Sequence, residues 1–279
     1  MLWKVRNRTF DLSKNALLMG VLNVTPDSFS DGGRWRQAHD AVQQGLKMVR
    51  AGADILDIGG ESSRPGATPV SAQEELERIL PVLETLAKET TATLCVDTQK
   101  PEVAKEALRA GASIVNDIGG LQNPAMREVL LQSGAGGIAM HMQGSPDTMQ
   151  NAPAYLDVVE EVRGYLREAL WQCEQDGIPT DCIVLDPGIG FGKTADHNRL
   201  LLRELNQLRQ LQRPILIGVS RKSFLSAMSG KPDIQDRFWP TVALTSYARF
   251  CNAAIFRVHD VCANLQALRD SESLVEACA

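Results

Sequence analysis

Asp97, Asn116 and Asp186 offer carboxylate and carboxamide oxygens that can accept hydrogen bonds from a ring rich in N–H donors. Arg64, Lys222, Arg257 and His259 offer the complementary chemistry, because cationic N–H groups hold phosphate oxygens. Ring recognition beside anion recognition points to a heterocycle that carries a phosphate or a diphosphate. Residue type alone goes no further than that class.

Where these residues fall is the stronger signal. Asn23, then Asp57 with Glu61, Asp97, Asn116 with Asp117, His141, Asp186, Lys222, and Arg257 with His259 each follow a short apolar run. The runs, at 17–24, 55–58, 94–96, 114–117, 137–140, 183–186, 215–218 and 254–258, are mostly continuous, as parallel strands buried on both faces require. Helical patterns lie between them. Leu76, Ile79, Leu80, Leu83 and Leu86 repeat on one helical face, and Ser71 with Glu74 predicts a capping box at its start. Asn123 followed by Pro124 predicts an N-cap and a first-turn proline. Gly52, Gly111, Gly134 and Gly177 each follow a helical segment, where a left-handed residue is wanted. An internal echo, RAGADI at 50–55 and RAGASI at 109–114, repeats the step from helix through glycine to strand.

Eight such steps without a compositional break predict a single α/β domain over residues 1–279, a (β/α)8 TIM barrel. An open doubly wound sheet is the alternative, since alternation does not by itself show closure. In a barrel the C-terminal strand ends share one rim, where active sites of this fold lie. Any one Asp or Asn at a strand end can be a helix cap or turn former. The convergence of many on one rim is what marks a site. Two stretches rich in turn formers, 25–33 and 59–66, are expected as functional loops above that rim.

Several function classes drop out. Net charge is −5 with no Lys/Arg run, so nucleic acid is not an expected partner. No apolar stretch approaches the ~18 residues of a membrane span, and the N-terminus lacks an apolar signal segment. Cys95, Cys173, Cys182, Cys251, Cys262 and Cys278 have no metal-ligand spacing and read as reduced thiols of a cytoplasmic protein. No HExxH or comparable cluster suggests a tightly bound zinc. The segment 188–194, GIGFGKT, resembles a phosphate loop but fails the pattern GxxxxGK(S/T), because Pro187 stands where the first glycine is needed. His39 is expected on a solvated helix face, and His197 beside a helix start. Trp3, Trp35, Trp171 and Trp239 show no spacing for a base-stacking platform.

The chain resembles the dihydropteroate synthase family. Residues 19–33 read MGVLNVTPDSFSDGG and residues 57–66 read DIGGESSRPG, both highly specific. VDT at 96–98, NDI at 116–118, MHMQG at 140–144, DPGIGFGK at 186–193, SRKS at 220–223 and RVHD at 257–260 follow in family order. The resemblance implies a single barrel, commonly a homodimer, that condenses 6-hydroxymethyl-7,8-dihydropterin diphosphate with para-aminobenzoate, assisted by Mg2+. It implies pterin contacts from Asp97, Asn116, Met140, Asp186, Lys222 and Arg257, the last also stacking on the ring. It implies diphosphate contacts from Asn23, Arg64, Arg257 and His259, with Asn23 also the metal contact. Phe29, Ser63, Arg64, Pro65 and Ser223 would shape the para-aminobenzoate site. Asn23, Asp97, Lys222 and Arg257 would carry the chemistry, in which diphosphate leaves, the ring shares the methylene cation and the aniline nitrogen attacks. Ser223 would open a helix whose N–H groups suit a carboxylate.

Two departures stand out. Ser63 replaces a threonine common in the family but keeps the hydroxyl, and Trp239-Pro240 is unusual and could alter a helix start or a subunit contact. Two rival readings are a pterin-binding methyltransferase that serves a corrinoid protein, and a catalytically silent pterin-binding paralogue. The first would not need the 19–33 loop or the diphosphate ligands, and the intact cations argue against the second.

Overall fold

A computed structural model describes residues 1–25, 33–63 and 66–276. Its parallel strands are β3 (Leu17–Asn23), β4 (Ile55–Gly59), β5 (Thr93–Asp97), β6 (Ile114–Asp117), β7 (Gly136–Met140), β8 (Ile183–Asp186), β9 (Leu216–Ile217) and β10 (Ile255–Val258). From β3 to β8 each bonds to the next in chain order, and β10 bonds to both β3 and β9. Leu185 bridges Ile215 in parallel, and its N–H donates to Pro214 O at 3.0 Å, which closes the ring between β8 and β9. The chain therefore builds the barrel and not the open sheet. That seam is thin for a chemical reason: Pro187 and Pro214 flank it, and neither has an N–H to donate. This is also why β9 is shorter than the apolar run 215–218 suggested.

Around the barrel lie α1 (Gly33–Arg50), α2 (Ala72–Glu89), α3 (Pro101–Arg109), α4 (Pro124–Ser133), α5 (Val158–Gln175), α6 (Ala195–Arg203), α7 (Phe224–Ser229), α8 (Phe238–Phe250) and α9 (Val261–Glu276). Their ends obey local rules legible in the sequence. Ser71 Oγ accepts from Glu74 N at 3.1 Å, although the Glu74 carboxylate turns to Arg78 instead of completing the box. Asn123 caps α4 with Pro124 at its first position, and Gly134 ends it left-handed. His197 completes a capping box with Thr194 at the start of α6, a structural duty. Pro240 sits in the first turn of α8, where an N–H would have no intrahelical acceptor, so it leaves the helix start intact. No helix among the described residues is long and apolar enough to cross a membrane.

Strand alternation sorts the side chains into two cores. Leu18, Leu22, Leu56, Ile58, Val96 and Val115 face outward and pack with Ile79, Leu83 and Leu86 of α2 and the other helices. Met19, Ile55, Cys95, Ile114, Ile138, Val184, Leu216 and Ile255 face inward and fill the N-terminal end of the barrel. An antiparallel hairpin, β1 (Leu2–Val5) and β2 (Arg8–Asp11), closes that end from below. Trp3 and Val5 are buried in the same inner cluster, and Trp3 Nε1 donates to Cys182 O at 3.0 Å. The hairpin is not among the expected strands, since four residues carry too little periodicity.

Candidate active site

Two residues beyond each inward apolar side chain, the period of two brings the next inward side chain to the C-terminal rim. Thus Ile55 is followed by Asp57, Cys95 by Asp97, Ile114 by Asn116, Ile138 by Met140, Val184 by Asp186 and Ile255 by Arg257. The lower layer is core and the upper layer is polar. By the same parity Met19 leads to Asn23, half-buried at the end of β3 and opposite Gly59. Asp97 lies opposite Asn116, and Met140 opposite Asp186, in the ladder register.

Arg257 is the centre of this layer. Its Nε donates to Asp57 Oδ2 at 2.5 Å and its Nη2 to Asp97 Oδ2 at 2.6 Å. Asn116 Nδ2 donates to the same Asp57 oxygen at 3.1 Å. Asp57 is fully buried and its Oδ1 has no hydrogen-bond partner among the described residues. Burial pushes the Asp97 carboxyl up to about 7, Arg257 opposing the shift and Asp57 adding to it. Burial disfavours the charge on Arg257, but Asp57 and Asp97 more than compensate and hold the guanidinium above its ordinary range.

Lys222 enters from the turn after β9. Arg221 takes a left-handed conformation there and forks onto Asp260 at 3.0 and 2.7 Å, tying this turn to the one after β10. The Lys222 ammonium donates to Ile189 O and stands 4.4 Å from the centre of the Phe191 ring. Burial pulls it down to about 8, against the attraction of Asp186. Asp186 is itself raised by burial, Lys222 opposing, and accepts from Gly188 N at 2.7 Å. His259 Nδ1 lies 3.0 Å from Ser220 Oγ, which also accepts from His259 N.

The glycine-rich segment after β8 has a packing purpose and no phosphate-loop character. A Cβ on Gly188 would lie 1.8 Å from His141 O, and its φ is +65°. Behind it the Lys193 ammonium donates to His141 Nδ1 at 2.8 Å, Phe191 O at 2.9 Å and Gly188 O at 3.0 Å. Burial pulls Lys193 down to about 7 and His141 to about 3, so the imidazole stays neutral and accepts.

A cavity of about 160 Å³ opens beside Asp97 and is lined by Ser62, Ser63, Thr98, Ile118 and Pro146 among others. Ser223 is exposed, directly before α7, and its hydroxyl makes no cap bond to that helix. Since α7 spans only six residues, it offers little of the helix-terminal field that Ser223 suggested. Phe29, Arg64 and Pro65 lie outside the described residues.

Residues 19–259 match the family described as "Pterin binding enzyme". The chain is 45% identical over 260 residues to the dihydropteroate synthase of Escherichia coli K12, across 93% of this chain and 92% of that one. The chain belongs to the dihydropteroate synthase family. Among solved members, the Yersinia pestis dihydropteroate synthase with a sulfonamide drug complex aligns with a TM-score of 0.92 at 42% identity, covering 99% of this chain and 100% of that one. The Xanthomonas albilineans dihydropteroate synthase in complex with 7,8-dihydropteroate aligns with a TM-score of 0.89 at 37% identity, covering 99% of each chain.

Against that family frame, the barrel gathers Asp97, Asn116, Met140, Asp186, Lys222 and Arg257 into one layer, with Asn23 on the end of β3 and His259 on the turn after β10. Sequence reasoning missed the supports. Asp57 stood out as a strand-end acid, but its duty of holding Arg257 was not assigned; its parity with Ile55 was the available sign. Phe191 beneath Lys222 and Ser220 beside His259 left no sign, because tertiary proximity creates both roles.

Proposed function

We propose that the chain condenses 6-hydroxymethyl-7,8-dihydropterin diphosphate with para-aminobenzoate to give 7,8-dihydropteroate and diphosphate. The observation that carries this reading is the single layer in which Arg257 bridges Asp57 and Asp97 while Lys222 faces Asp186. Acids and an amide for ring N–H groups stand beside cations for an anion, as the two halves of this substrate demand.

In the reaction the methylene–oxygen bond breaks with its electron pair leaving on diphosphate. The ring shares the resulting positive charge, the aniline nitrogen lone pair forms the new bond, and one nitrogen proton is lost. The protein's task is electrostatic more than basic. Asp97, Asn116 and Asp186 orient the ring, and the two carboxylates among them favour positive charge on it. Lys222 holds the ring beside Asp186, and Arg257 favours charge on the leaving group, with His259 at its far end. With Nε and Nη2 held by two carboxylates, Arg257 keeps its plane fixed for stacking. Ser63 and Ser223, with Phe29, Arg64 and Pro65, hold the benzoate.

The donor set suits Mg2+ that arrives with the diphosphate. The Asn23 amide oxygen is a hard donor, and no group of three or more His, Cys, Asp or Glu gathers among the described residues, so diphosphate oxygens would complete the shell. Bound there, Mg2+ supplies Lewis-acid stabilisation of the leaving group.

A homodimer and a cytoplasmic location complete the proposal. Trp239, Tyr247 and Phe250 form an exposed apolar face of α8, Trp239 being 73% exposed, and a second copy would cover it. Cys95, Cys173, Cys182, Cys251 and Cys262 are all free, as in a reducing compartment. Purified chain given both substrates and Mg2+ should form dihydropteroate, read by chromatography. Saturable pterin binding without turnover, or methyl transfer to a corrinoid, would overturn the reading. Sedimentation should give twice the mass of one chain, and a monomer at micromolar concentration would remove the dimer.

A further inference from the structure

We infer that Glu61 and Lys100 are positioning residues that hold Ser62 and Ser63 at the cavity for para-aminobenzoate, an inference that rests on the condensation proposed above. The Glu61 carboxylate ties three segments together. Its Oε1 accepts from Val70 N at 2.9 Å, which closes the loop on itself. Its Oε2 accepts from Lys100 Nζ at 2.8 Å. Lys100 stands three residues beyond Asp97, on the segment that leads from β5 into α3. The same ammonium donates to Glu75 Oε2 at 2.6 Å, and Glu75 is fully buried on α2. Arg78, one turn along α2, donates to Gly60 O at 2.6 Å. The limb entering the loop is therefore nailed to α2, the limb leaving it is tied back through Glu61, and both are referenced to the strand that carries Asp97.

Ser62 and Ser63 lie between the two tied limbs and line the same cavity as Asp97 and Thr98. Burial opposes the charge on Lys100, but the bonds to Glu61 and Glu75 outweigh it, so the ammonium persists and the clamp stays ionic. Glu61 itself is half-buried and also lines this cavity, but its two oxygens are committed to Val70 N and Lys100 Nζ. Its effect would pass through the loop, and it should be confined to the substrate the loop serves.

Steady-state kinetics of Glu61→Ala and Glu61→Gln, each substrate varied at saturation of the other, test this. Glu61→Ala removes both bonds and should raise KM for para-aminobenzoate on the order of 10-fold. Glu61→Gln keeps an acceptor for Val70 N and should recover roughly half of that loss on a logarithmic scale. KM for the pterin diphosphate should stay within about twofold in both, since no pterin ligand is disturbed. Equal rises in both KM values, no change in either, or a fall in kcat alone would overturn the inference. If Glu61→Ala does not fold, Glu61→Gln decides by the same split. Wild-type chain that forms no dihydropteroate refutes the proposed function as well, whereas active wild type with indifferent Glu61 variants refutes only the clamp.

Discussion

Asp57→Asn isolates the part of the site that holds Arg257. The change is nearly isosteric, so it leaves the packing around a fully buried residue intact. What it removes is the charge on the acceptor of a 2.5 Å bond from Arg257 Nε. A hydrogen bond to a charged group contributes about 1.5–3 kcal/mol, against about 0.5–1.5 for a neutral one. Arg257 keeps Asp97 at 2.6 Å, so the guanidinium is loosened and not left as an unpaired buried charge. The loss at Arg257 is then about 1–2 kcal/mol, or roughly 5- to 30-fold. It should fall on kcat/KM for the pterin diphosphate with para-aminobenzoate saturating. A second readout has a fixed sign. Asp57 is one of the charges that raise Asp97, so its neutralisation lowers the pH at which Asp97 ionises. The acid limb of the kcat/KM profile should therefore move to lower pH. A variant with kcat/KM within about twofold of wild type and an unmoved acid limb would refute the placing of Arg257 by Asp57.

In the proposed mechanism, ring binding would need Asp97 ionised and Lys222 protonated. Since these groups titrate near about 7 and about 8, kcat/KM for the pterin diphosphate should rise with pH through the first value and fall through the second; a flat profile from pH 6 to 9 contradicts both roles. Gly188→Ala should abolish soluble folded protein, because its Cβ would enter the His141 carbonyl, whereas Gly134→Ala, with φ of +63° and nothing within 4 Å, should cost about 1 kcal/mol. Expression and thermal melts of the pair check this, and similar behaviour of the two variants would show that the contact at Gly188 is not what matters.

Most of the fold was legible because the parallel strands are mostly continuous apolar runs separated by helical patterns with recognisable ends. All eight runs fall within a residue at either end of a strand. The strand at the seam, where two prolines remove donors, is the shortest, Leu216–Ile217. The hairpin at the bottom was invisible to the same logic: its stability comes from Trp3 and Val5 entering the inner cluster and not from its own pattern. At the site, residue type and strand-end position pointed to Asp97, Asn116, Asp186 and Arg257. They did not reveal that Arg257 lies between two acids, since Asp57 and Arg257 are 200 residues apart in the chain.

That long-range pairing has a consequence for how the site can bind an anion. An arginine free to swing would have to be ordered by the diphosphate, at a cost of about 0.5–1.5 kcal/mol for a flexible side chain. Asp57 and Asp97 meet that cost on folding, and Phe191 with Ile189 O does the same for Lys222. The carboxylates also offset positive charge that would otherwise repel a methylene cation as it forms. In the proposed reaction, two acids per guanidinium would thus serve both ends of the bond that breaks: they would fix the cation for the leaving oxygen, and they would keep the ring side of the pocket negative enough to tolerate the charge left behind.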